Sequence, residues 1–211
     1  MSRTPPRSRF LPAELRLVDR LTTPRLVQGW LDDLAYNRER TLRTFRGVVR
    51  HGAAHCLEAV LAAATILEQH GHPPLVLDID SQDGLGHVLL LYRRNGRWGS
   101  VARSRDAGLH GRKAAFRSVR DLLGSYADPY VDGTGRITAY EVFRLDDLTR
   151  ADWRLGEGNV WSVERALIEA PHRPYRMSER RYARALARYR AFRARYPDAP
   201  ATYYAGKERW L

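Results

Sequence analysis

The sequence is short of three things, and each shortage narrows what the chain can be. It holds one cysteine, Cys56, in 211 residues. A single thiol excludes an intrachain disulfide and a cysteine-rich zinc site. Lysine is nearly missing: of 36 Lys and Arg residues, only Lys113 and Lys207 are lysines. Long apolar runs are missing as well, since no stretch approaches the roughly 18 residues that span a bilayer. The basic start, MSRTPPRSRFLPAEL, lacks the apolar segment of a secretory signal. These absences predict a cytoplasmic protein with no transmembrane segment. They say nothing of oligomeric state.

The hydrophobic fraction is 44%, ordinary for a globular chain. The net charge of +12 would attract nucleic acid non-specifically. That charge is almost all arginine, which a GC-rich coding genome also produces. Nucleic acid is therefore not the expected partner. A peptide, a protein or a small amide or ester substrate is.

Composition divides the chain into an irregular Pro- and Arg-rich segment (1–12), one domain (13–170) and a basic helical extension (171–211). Within the domain, residues 13–35 read as helical, with Pro24 opening a second helix behind an N-cap Thr23. The stretch 37–50 has no clear period. Residues 54–70, AHCLEAVLAAATILEQH, carry Leu57, Val60, Leu61 and Ala64 at helical spacing, and Gly71 stops the helix. LVLDI (75–79) reads as a strand. HVLLLYRR (87–94) and RWGSVARS (97–104) read as a hairpin around Asn95-Gly96, the strongest short hairpin signal. Residues 114–126 look helical, 137–145 read as a strand, and 178–197 form a separate basic helix capped by Ser178.

Cys56 sits at the start of the alanine-rich helix behind Gly52-Ala53-Ala54-His55. A helix N-terminus carries unpaired N–H groups and about half a positive charge, which favour thiolate and a developing oxyanion. A thiol nucleophile needs a base within reach. His87, opening a strand after a glycine-containing loop, is the candidate. His55 is adjacent in sequence but points about 100° away on a helix. Trp30, Tyr36 and Asn37 are upstream candidates for an oxyanion side chain, and nothing in the spacing selects one. The histidines show no paired spacing for a metal, and no cofactor is expected. Asp78 and Asp80 share one strand face and read as a solvated strand end.

A Cys-bearing helix, a strand opening on His and a hairpin carrying a Trp resemble the transglutaminase-like core of the papain-like cysteine fold. The matching pieces are AHCLEAVLAAATIL, the Gly71-His72-Pro73-Pro74 segment, HVLLLYRR and RWGSVARS. With SYADPYVD added, the resemblance extends through about residue 170 to an uncharacterised bacterial branch of that superfamily. It implies an α+β fold: a Cys-bearing helix packed on an antiparallel sheet, with flanking helices. It also implies acyl transfer or amide hydrolysis by a Cys–His–Asp triad, with Cys56 as nucleophile and His87 as base. The family's Asp lies four residues past the hairpin Trp, which here is Ala102. Ser104 and Asp106 downstream, or Asp83 upstream, could substitute. Counting out from a two-residue Asn95-Gly96 turn sets Ser104 across from His87. The expected function is thus a cysteine hydrolase or acyltransferase. The alternatives are an inactive relative that binds a peptide or protein, and an arginine-rich nucleic-acid binder.

Overall fold

The computed structural model describes residues 4–199. A 3-10 turn at Arg7–Arg9 leads into α1 (Pro12–Arg20) and α2 (Pro24–Asp33). Both helices open on a proline, whose missing N–H has no helical partner to lose. Thr23 caps α2 by accepting the Leu26 N–H. Strand β1 (Ala35–Tyr36) then pairs in parallel with β2 (Ala53–Ala54) across the short helix α3 (Phe45–His51). Thr44 starts α3 and left-handed Gly52, at φ 62°, ends it. In α4 (Cys56–Glu68) every residue after Cys56 is buried.

The main sheet has six antiparallel strands: β3 (Leu75–Ser81), β4 (His87–Arg94), β5 (Arg97–Val101), β6 (Arg112–Phe116), β7 (Ile137–Arg144) and β8 (Arg173–Pro174). Their spatial order is β6-β5-β4-β3-β7-β8. Asn95 and Gly96 both take positive φ, as a tight hairpin turn requires. Strand alternation splits the core. Val76, Val88, Leu90 and Val101 pack with α1 to α4. Leu77, Ile79, Leu89, Leu91 and Ala102 pack with α5 (Val119–Ala127). Two further helices, α6 (Leu145–Leu148) and α7 (Trp161–Glu169), join the α4 side through Leu145, Val163 and Leu167. The last, α8 (Glu179–Arg195), lies on the α5 side. The architecture is α+β, with helices on both faces of one antiparallel sheet. No helix among the described residues is long and apolar enough to cross a membrane.

Several expectations are corrected. Residues 114–116, expected to start a helix, belong instead to the strand Arg112–Phe116, because β5 takes it as its outer partner. The helix begins only after Ser118, which exchanges hydrogen bonds with Asp121. The second hairpin strand ends at Val101, short of Ser104. Residues Tyr175, Met177 and Ala185, beyond the boundary drawn at residue 171, pack with the α5 cluster.

Candidate active site

The end of α4 that carries Cys56 is fixed by its own neighbourhood. His55 is the N-cap: Nδ1 accepts the Leu57 N–H at 3.2 Å, and Nε2 donates to the Thr41 carbonyl at 2.9 Å. Glu58, fully buried, accepts four donors at 2.7–3.0 Å: the His55 and Arg43 N–H groups, Asn37 Nδ2 and Thr41 Oγ1. Both His55 nitrogens are thereby occupied. Of the upstream donors, Asn37 is turned to Glu58 and Trp30 packs on the α4 core. Tyr36 is the one beside the cysteine, since the Cys56 N–H is directed at its phenol oxygen. The same N–H also acts on the Cys56 thiol, so the backbone donor expected to hold an oxyanion is shared between the two groups.

The thiol itself is not poised as thiolate. Burial pushes it up to about 11; the charges of Asp78 and Glu164 add to this, and the Leu57 N–H opposes it. The favourable helix end is outweighed by desolvation.

His87 opens β4 as expected. The far end of α4 meets Tyr92 through the His72 ring, which leaves Cys56 at the end where β4 begins. Alternation then separates the pair. His87 takes the face of Leu89 and Leu91, toward α5, whereas Cys56 packs with the α4 cluster. His87 is buried and its Nε2 donates to the Leu109 carbonyl at 2.9 Å. Burial pulls its pKa down to about 4; His110 and Arg112 push the same way, and the Leu109 carbonyl opposes. No hydrogen bond among the described residues joins Cys56 to His87.

The expected partnership of His87 with Ser104 is not made. The register follows the count from Arg94↔Arg97 through Leu91↔Ser100 to Leu90↔Val101, and there the ladder stops. Beyond it the side-chain amide of Gln28 stands in for a strand, accepting the Ala102 N–H at 3.0 Å and donating to its carbonyl at 2.9 Å. Gly111 lies so close to Gln28 Oε1 and the Ser100 carbonyl that a β-carbon there would clash. Arg103 turns away to the Leu34 carbonyl. Ser104 Oγ accepts the Asp106 N–H at 3.2 Å, and its carbonyl meets His110 Nε2. Asp106 accepts the Gly108 N–H, and Asp83 accepts Ser81 Oγ and the Leu85 N–H. These groups hold loops together.

No family model matches this chain, and no curated protein matches it.

A pair that the sequence did not reveal lies on the α4 side of β3. His172 Nδ1 donates to the Ala170 carbonyl at 2.8 Å, which leaves Nε2 toward Asp78 Oδ2 at 3.3 Å. Burial pushes Asp78 up to about 6; Asp80 adds to this, and His172 opposes it. Asp78 is therefore a half-buried group with a raised pKa and not a solvated strand end. Nothing in the sequence links positions 94 residues apart. Among the described residues, no group of three His, Cys, Asp or Glu side chains could hold a metal ion.

Proposed function

We propose that this chain is a catalytically silent protein of transglutaminase-like type. It binds an acidic peptide or protein segment at the Cys56 end of α4. The observation that carries this reading is the placement of Cys56 and His87 on opposite sides of one sheet. Acyl transfer needs the base within hydrogen-bond reach of the thiol. Here the thiol stays neutral, the imidazole is held by a carbonyl, and the Cys56 N–H faces Tyr36. What remains at that end is recognition chemistry: the Tyr36 phenol with the positive charges of Arg103 and Arg105 acting on it. The second reading, a cysteine hydrolase or acyltransferase, is favoured by the Leu57 N–H, which lowers the thiol's pKa while it also donates to His55 Nδ1.

Iodoacetamide alkylation across pH, together with hydrolysis of an activated ester by wild type and Cys56→Ala, separates the two. The expected alkylation midpoint lies well above the ordinary thiol value of about 8.5, with ester hydrolysis independent of Cys56. A midpoint below that value with Cys56-dependent turnover would establish the enzyme. An array of acidic peptides should bind wild type and lose binding in Arg105→Ala; equal binding by both sinks the recognition site.

A further inference from the structure

Between Arg180 and Arg195, helix α8 presents an exposed face that makes a single ion pair with the rest of the described fold. After Glu179, which pairs with Arg136, every exposed position of α8 is arginine or alanine. Arg180, Arg184 and Arg188 follow one another at four-residue steps, so like charges stack on one side of the helix. Such stacking opposes the helix unless something neutralises it. Among the described residues only Arg188 of these three has a carboxylate partner, Asp128 at 2.9 Å. Arg190 and Arg195 extend the exposed charge.

We infer that the exposed Arg/Ala face of α8 is a docking surface for the phosphodiester backbone of a nucleic-acid duplex, read without regard to sequence. Three features select this occupant. The guanidinium fork matches phosphate oxygens two at a time. The alanines between the arginines leave no bulk to hold the helix away from a backbone. Backbone contacts carry no base information, so no groove-reading side chain is required. The rival occupants fit less well. An anionic membrane is gripped by an amphipathic helix with a free apolar face, but the apolar side of α8 packs through Ala185, Tyr182 and Leu186 on the α5 side of the sheet. A protein partner is gripped by buried anchors of Trp, Tyr and Arg set in an apolar patch, and the exposed face between Arg180 and Arg195 offers arginine without the aromatic or apolar part. Arginine content alone argued against a nucleic-acid partner, because coding bias explains it. On α8, however, the arginines fall at successive turns of one exposed face with only alanines between them.

The test uses the whole chain with labelled duplex DNA and, separately, duplex RNA, by fluorescence anisotropy between about 50 and 200 mM salt. The double variant Arg180→Gln/Arg184→Gln is expected to make the log–log salt slope shallower by about 2, one step per phosphate contact. A control, Arg150→Gln/Arg165→Gln, removes the same charge at exposed positions away from α8. It should change the slope by less than half as much, and circular dichroism melts confirm that both variants fold. The DNA and RNA arms identify which duplex the surface takes. Equal slope changes in the two double variants would reduce the effect to net charge and overturn the inference. So would binding to phosphatidylserine vesicles with no binding of either duplex.

Discussion

Above the main sheet, around α4, the core is mainly aliphatic: leucines, valines and alanines surround the helix, with Phe10, Phe45 and Trp153 among them. The buried charges there are matched. Arg154 meets Glu68 through two bonds at 2.6 and 2.8 Å and Asp146 through one at 2.7 Å. Below the sheet, around α5 and α8, the core is rich in tyrosine. Tyr126 donates to the His110 carbonyl at 3.0 Å and shares a hydrogen bond with Ser100 Oγ, while the Arg112 guanidinium stacks on its ring at 4.1 Å. The upper layer solvates a polar group only by complete pairing, and the lower one offers scattered hydroxyls and carbonyls. An imidazole can settle in the lower layer as an ordinary core residue, as His87 does. The single thiol sits in the upper layer, where ionising it has little support.

The comparison breaks most sharply at Arg154. Replacing it by alanine strands Glu68 and Asp146 without their cation, and removal of one partner of a buried ion pair costs about 3–5 kcal/mol. Urea unfolding at neutral pH measures the loss; a loss under about 1 kcal/mol would mean that the upper layer takes up water freely.

The layers should also titrate in opposite senses. Asp78, above, has its folded pKa raised from 3.8 to about 6. The folded chain keeps a proton that the unfolded chain releases, so Asp78 costs stability as pH climbs from about 4 to 6. His87, below, is lowered from 6.5 to about 4. The unfolded chain takes a proton that the folded one refuses, so His87 costs stability as pH falls from 6.5 toward 4. Each effect reaches about 3 kcal/mol at most. Relative to wild type, Asp78→Asn should gain stability toward pH 6, and His87→Gln should gain it toward pH 4. Difference curves that slope the same way would end the contrast.

The smallest effect sharpens the picture around the thiol. Because the Asp78 charge helps hold Cys56 protonated, Asp78→Asn should lower the alkylation midpoint by a fraction of a pH unit. An unchanged midpoint would show that Asp78 is too far from the sulfur to act on it.

Much of this fold can be read along the chain. The caps of α2 and α8, the body of α4, and the hairpin register through Leu90 and Val101 follow from local chemistry. Helix α3, seven residues long, is too short to show a period. The end of β6, residues 114–116, reads as helix because its alanines favour one until a neighbouring strand claims them. The decisive failure lies in β4. A central strand buried on both faces is a continuous apolar run, and HVLLL contains no alternation to tell which way His87 turns. The end of β5 is hidden for a different reason, since it is set by Gln28, an amide 74 residues away.

The donors gathered by Glu58 come from Asn37, Thr41, Arg43 and His55, between 3 and 21 residues away. The sheet, by contrast, closes only when β3 finds β7, joining Leu75 to Arg144. Short loops close fast and long ones slowly. During synthesis from the N-terminus, the Cys56 end of α4 can therefore acquire its anchor while β7 is still untranslated, giving the later strands a finished surface on which to assemble.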